Sequence, residues 1–327
     1  MAGRRHKARI VFHLPGTYLH SYADVLHLGL FARVADLWGT RGAKVVLRDR
    51  RDGPWDGGDA RHYDDGDLHI IDMGRVQGPG VLNAGVAYMQ PFWHLDPLGV
   101  QGESGIGGLA YEAAQVDYAK AGPFFEDLRA RIVLARQSRR DQMARVTEFA
   151  PGAIAVFLQG ARPVAQGLTY CSALEMLQAV CAGAGGRQVL VKPHPLDAEA
   201  DAEVIDAALA EGLPITPTLA NVHDMMAGAV CTVSFNSAVA LEGFLHRKPA
   251  VLFGQSDFHQ FAETVRKPAD FAAALGRVQA RAPGGYAQFL FWYLGMQCLH
   301  LHGPRFEARV AAIFDAAGFG ADRLGVG

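Results

Sequence analysis

The sequence predicts an α/β fold made of two units, on three observations. Short runs rich in β-forming residues alternate with longer stretches rich in Ala and Leu, the order in which strands and covering helices follow one another in parallel sheets. The 327 residues suit two domains at about 100–200 residues each. Pro151-Gly152 breaks the pattern near the middle, dividing the chain into 1–150 and 151–327.

In the first unit the apolar run 8–13 reads as a strand, stopped by Pro15-Gly16. The stretch 22–38 reads as a helix, and 44–47 and 68–72 as two further strands. A glycine-rich region, 76–108, follows, then a helical stretch over 124–146 rich in Arg and Gln. The second unit alternates strictly: strand 153–158, helix 172–182, strand 188–192, helix 198–210, a short strand 214–216, helix 221–227, strand 230–234, helix 238–245 and strand 250–253. The glycines at 183–186 form the turn before the strand at 188, not a phosphate loop. In such folds ligands bind beyond the carboxyl ends of the strands.

Composition narrows the function. With 50% hydrophobic and 20% charged residues the chain is an ordinary globular protein, which excludes disorder, collagen and coiled coil. Lys+Arg 31 against Asp+Glu 33 leaves a formal charge of -2, so no overall positive field draws it to nucleic acid. The basic start is followed by an apolar run broken at Pro15, and 289–299 is too short to span a bilayer, which needs about 20 residues. Four cysteines with no CxxC pair fit a reducing compartment. A cytoplasmic protein is expected.

Two motifs carry chemistry. In Val189-Leu190-Val191-Lys192-Pro193-His194-Pro195 an apolar strand ends in Lys192 and a His194 held between prolines, whose fixed φ stiffens the loop. A stiff imidazole beside an ammonium suits a phosphate, although the same residues also describe a proline-terminated strand with a surface histidine. In Thr232-Val233-Ser234-Phe235-Asn236-Ser237-Ala238 a strand turns into a helix whose start offers Asn236 and Ser237 either as plain caps or as an anion site. Glu242 follows in the second turn, about 140° around from Ser237. If the two strands are neighbours, Lys192, His194, Asn236 and Ser237 converge on one anionic group.

These residues resemble the capsule polysaccharide biosynthesis proteins, which include β-Kdo transferases. The likeness lies in Lys192-Pro193-His194-Pro195, Val233-Ser234-Phe235-Asn236-Ser237, Leu241-Glu242 and Lys248-Pro249-Ala250-Val251-Leu252-Phe253-Gly254. In the first half, Tyr88 to Ser104, with Gln90-Pro91-Phe92-Trp93-His94-Leu95-Asp96 at its centre, is similar to another family segment. The resemblance implies a GT-B-like fold, two Rossmann-like domains facing each other across a cleft, with the last helix packing back on the first. It also implies a CMP-sugar donor, with Kdo as the sugar, a lipid-linked or oligosaccharide acceptor, and no cofactor or metal. By the same resemblance His194 binds the donor phosphate and aids its departure, Asn236 and Ser237 bind that phosphate with Gln159 and Ser234 beside them, and Glu242 contacts the nucleotide. The family's acid after Gln159 is missing here, and Gln90 and Phe92 replace its Arg and Asp. A transferase using CDP-glycerol or a UDP-sugar, and a non-catalytic scaffold, are the alternatives.

For the base that takes the acceptor's proton, Asp96 is the first candidate and Glu103 and Asp24 stand behind it; Asp96 before Pro97 is also a turn opener. Asp64-Asp65-Gly66 reads as a solvated turn. Cys298, His300 and His302 alternate as metal ligands on a strand do, but lack a fourth partner. The arginines of 129–145, among them Arg136, Arg139 and Arg140, form either a solvated face or a contact with an anionic membrane surface.

Overall fold

The computed structural model describes residues 7–138, 140–281 and 283–327. Arg139, part of the basic stretch, lies outside the described residues. The chain forms two compact units, Met1–Gly108 with Leu294–Gly327, and Leu109–Tyr293.

The first unit opens with β1 (Ile10–Leu14), α1 (Gly29–Gly39), β2 (Val45–Asp49), β3 (Leu68–Asp72), β4 (Val81–Val86) and β5 (Phe92–Asp96). The helix expected over 22–38 is two single 3₁₀ turns, Tyr22–Asp24 and Leu26–Leu28, before α1. The short turns bring Tyr22 onto the core, edge-on to Phe12. The glycine-rich region contains β4 and β5, which composition alone concealed. Both are buried strands, and Asn83 pairs with the backbone of Val76 through both ends of its amide, at 2.8 and 3.1 Å.

The second unit begins with α2 (Tyr118–Arg129) and continues through β6 (Ala153–Phe157), α3 (Arg162–Ala165), α4 (Ala173–Gly183), β7 (Val189–Lys192), α5 (Ala198–Ala210), β8 (Ile215–Pro217), α6 (Val222–Gly228), β9 (Ala229–Ser234), α7 (Val239–Leu245), β10 (Ala250–Leu252), β11 (Glu263–Thr264), α8 (Phe271–Ala280) and α9 (Tyr286–Leu290). Its sheet runs β11-β10-β9-β6-β7-β8, every pair parallel. This is the doubly wound order, and it reverses between β6 and β9, where such folds open a ligand crevice at the strands' carboxyl ends. Alternate residues of β6 serve opposite cores: Ile154 and Val156 face the cluster of Met176, Leu177 and Val180, Ala155 and Phe157 that of Met225 and Met226. That two-sided burial explains the nearly continuous apolar strands. The sequence break at 150/151 falls within this unit, because Arg136 and Thr147 are tied to Asp224 of α6.

The chain then returns to the first unit with β12 (Leu299–His300), α10 (Phe306–Ala316) and α11 (Ala321–Leu324). The first sheet is β12-β5-β4-β3-β1-β2, parallel from β2 to β4, with β5 antiparallel to both neighbours. Val310 and Phe314 of α10 join the core formed by Phe12, Phe31 and Trp38. Among the described residues no helix is long and apolar enough to cross a membrane.

Truncating the central strand tests this core. Ile154→Ala is expected to cost about 2–5 kcal/mol, the scale for deleting a buried aliphatic side chain, whereas Leu209→Ala at an exposed position stays within about 0.5 kcal/mol. Denaturant midpoints at constant m-value measure both.

Candidate active site

Of the residues singled out by sequence, Gln159, His194, Ser234, Asn236 and Ser237 lie at or just beyond the carboxyl ends of the strands of the second sheet. β6 lies between β7 and β9, so the two motif-bearing strands are not neighbours as supposed, and Gln159 after β6 fills the interval. Its Oε1 accepts from the N–H groups of Phe235 and Asn236, both at 3.0 Å, and its Nε2 donates to Asn236 Oδ1 at 2.9 Å. Asn236 in turn donates to the carbonyl of Gln255 at 3.0 Å. Two amides in series thus fix the loops after β6, β9 and β10 at the point where strand order reverses.

The loop after β7 is tied to the loop after β6 by Asp201 of α5 and by Asp197 just before it. Asp201, buried, accepts from Gly160 N at 3.0 Å and His194 N at 2.6 Å, and Asp197 accepts from Ala161 N at 2.8 Å. Gly160 has φ +65, and a Cβ there would run into the Asp197 carboxylate; only glycine fits both constraints. The N–H of Leu196 reaches His194 Nδ1 at 3.3 Å, which places the proton of the neutral ring on Nε2. His194 therefore presents a donor on a loop held from both sides.

Ser234 Oγ accepts from Ser237 N at 3.3 Å, and Ser237 Oγ from Val239 N at 3.3 Å, so both serines shape the turn into α7. That helix has seven residues and Ala238 at its N-cap, with no side-chain cap.

Three expected site residues are placed differently from the sequence picture. Lys192 turns to the β8–α6 connection, donating to the carbonyls of Leu219 and Ala220 at 3.1 and 2.8 Å; burial lowers its pKa. Glu242 is 3% exposed and accepts from Ser138 Oγ at 2.7 Å, while among the described residues its Oε2 has no hydrogen-bond partner and lies 3.9 Å from His223 Nε2. Burial pushes its pKa up to about 7, against the Ser138 hydrogen bond that lowers it. His223 donates instead to Gln137 O at 2.6 Å and meets His246 at 3.0 Å. In the first unit, Asp96 accepts from Leu98, Gly99 and Gly105 N–H groups at 2.7, 3.3 and 2.9 Å, and burial nonetheless raises its pKa. It braces the loop after β5. Glu103 is held in both oxygens by Arg75, and Asp24 is exposed on a 3₁₀ turn.

Sequence reasoning missed Asp201, Ser138 and the His223–His246 pair. An aspartate seven residues after His194, in the first turn of the next helix, was the available signal for the first; the others come from a segment with no motif. Among the described residues no group of three or more His, Cys, Asp or Glu could hold a metal ion; Cys298 is buried, and His300 packs edge-on against Phe92.

No protein-family model and no curated protein sequence matches the chain. Among solved structures it is similar to the β-Kdo 2,7 transferase of Thermosulfurimonas dismutans KpsC, with TM-score 0.52 over 88% of this chain and 90% of that one, at 12% identity. The β-Kdo 2,4 transferase of the same KpsC gives TM-score 0.48 over 83% and 91%, at 16% identity. Anabaena Alr3699/HepE, solved with UDP and glucose, gives 0.40 over 95% and 100%, at 8% identity. The fold is GT-B-like. In GT-B terms, the unit with β6 to β11 carries the Gln159 clamp.

Glu242 makes a signed prediction. Its folded pKa of about 7 lies above the unfolded value near 4.3, so its neutral form is favoured by folding. The stability it contributes is complete below about pH 4 and is lost as pH rises through 7. Glu242→Gln, with a neutral amide, is expected to match wild type in stability near pH 4 and to exceed it by on the order of 3 kcal/mol at pH 8.5. Parallel denaturation curves that never diverge would contradict the burial of this carboxyl.

Proposed function

We propose that the protein is a glycosyltransferase of surface-polysaccharide synthesis, moving a sugar, Kdo, from a CMP-activated donor to a lipid-linked or oligosaccharide acceptor. The observation that carries this reading is the Gln159 clamp at the switch point, which presents the Asn236-Ser237 turn beside the loop that holds His194. The likeness of fold and the Lys-x-His-Pro and Asn-Ser motifs support it.

In the reaction an acceptor oxygen bonds to the anomeric carbon, the bond from that carbon to the donor phosphate breaks, and CMP leaves with the electron pair. Charge grows on the phosphate as the bond breaks, so donors fixed in advance stabilise the transition state more than the ground state. His194 Nε2–H supplies such a donor, with Asn236 and Ser237 beside it. A nucleotide hydroxyl takes the place of Ser138 on Glu242. Lys192 acts indirectly, by holding the turn before α6. The acceptor's proton goes to Asp96, where three of about four lone-pair sites are occupied by backbone amides, and burial raises its proton affinity.

Calorimetric titration with CMP, against UMP as control, tests the donor assignment. CMP is expected to bind more tightly than UMP, and His194→Ala to weaken CMP by about 1.5–3 kcal/mol, the scale of a hydrogen bond to a charged group. Equal binding of UMP would remove the cytidine assignment, and indifference to His194→Ala would remove the phosphate role.

A further inference from the structure

The first sheet has its own point of reversal, between β1 and β3 in the order β3-β1-β2, and the chemistry there belongs to none of the roles above. The exposed Asp65 Oδ1 lies 2.9 Å from His69 Nε2, and His69 Nδ1 lies 2.9 Å from His13 Nε2. The network fixes the tautomers. A carboxylate only accepts, so His69 carries its proton on Nε2 and its Nδ1 must accept from His13 Nε2–H. His13 is thereby left with a bare lone pair on Nδ1. That atom is buried and, among the described residues, has no hydrogen-bond partner, on a side chain 1% exposed near the carboxyl end of β1.

Arg48 stands beside it. It is the register partner of His13 on the parallel strand β2, so both side chains leave the same face of the sheet. It is half-buried, and among the described residues its guanidinium makes no hydrogen bond or ion pair. The neighbouring arginines differ: Arg50 is paired with Asp72 at 2.7 Å and Arg9 with Asp67. Arg48 is close enough for its charge to act on His13, His69, Tyr63 and Asp65. Burial first, then His69, Arg48 and His62, push the His13 ring down to about 3, so it is neutral and an acceptor at any ordinary pH. The Tyr63 ring packs edge-on over it at 5.0 Å.

An uncommitted guanidinium next to an uncommitted lone pair is a matched set: the first takes an anion, the second a hydroxyl proton donor. Their position near the carboxyl ends of β1 and β2, beside the reversal of strand order, is where open α/β sheets bind ligands. We propose that Arg48 and His13 form a binding site for an anionic sugar, with Arg48 on its carboxylate or phosphate and His13 Nδ1 accepting from an adjacent hydroxyl. His69 and Asp65 are positioning residues that fix the tautomer in which Nδ1 keeps its lone pair. Under the proposed function this site belongs to the acceptor, and the inference rests on that reading only for its place in the reaction.

Titration of the full chain with D-glucuronate, D-glucose 6-phosphate and D-glucose, followed by calorimetry and amide chemical shifts, tests it. One or both anions are expected to bind where glucose at the same concentration does not, and the two arms tell carboxylate from phosphate. Arg48→Ala is expected to weaken the bound anion at least tenfold with an unchanged melting temperature, because no internal partner is lost; Arg48→Lys loses less. His13→Phe is expected to weaken it too, and ¹⁵N shifts should report an unprotonated Nδ1 on His13 at pH 7. Anions that bind no better than glucose, binding indifferent to Arg48→Ala, or a protonated His13 Nδ1 would each overturn the site. His194→Ala should leave anion binding intact, so loss of the nucleotide site and loss of this one are read separately.

Discussion

The side chain of Gln159 joins two strands that the chain reaches 76 residues apart, and the geometry of the site depends on it. Without its Oε1, the N–H groups of Phe235 and Asn236 would lose their acceptor at the entry to α7. Without its Nε2, Asn236 Oδ1 would lose its donor and the side chain would be held only through Gln255 O. The buried carboxylate of Asp201 does the corresponding work one strand over, holding Gly160 and His194 by their backbones. A phosphate site made of backbone and neutral side-chain donors needs such bracing, since its strength comes from donors that do not reorganise as charge develops.

The division of labour between the units follows from their sheets. In the second, an all-parallel sheet buried on both faces leaves only the strand ends for chemistry, and the polar residues cluster there. In the first, polar residues penetrate the sheet itself: His13, His69, Asn83 and His94 are all buried on strands or at their ends. Buried imidazoles that stay neutral must be compensated by partners, and His94 is, accepting from Gln101 N at 2.9 Å. His13 Nδ1 is not compensated among the described residues, a condition it shares with Glu242 Oε2 and Trp93 Nε1.

Much of the second unit was legible in the sequence because its strands are buried on both sides and its helices are punctuated. α5 begins and ends as read, and β7 and β9 differ by one residue at their starts. The first unit was less legible. β4 reads Val-Leu-Asn-Ala-Gly-Val, and its Asn and Gly signal a loop unless one knows that Asn83 closes on Val76. The motif residues were found, but spacing gives the place of a residue and not the direction of its side chain. Lys192 and Glu242 sit where the pattern put them and turn inward, the first to two carbonyls, the second to Ser138. That β6 separates β7 from β9 is a fact of topology, and Gln159 acquires its importance only from that order.

Amide chemical-shift mapping of CMP on the labelled protein shows whether the Gln159 clamp and the loops it braces form the nucleotide site. The largest changes are expected at 159–161, His194 and 235–238, with the Gln159 side-chain amide among them, because these groups surround one crevice. Changes confined to other strand ends, or none at saturating nucleotide, would contradict that assignment.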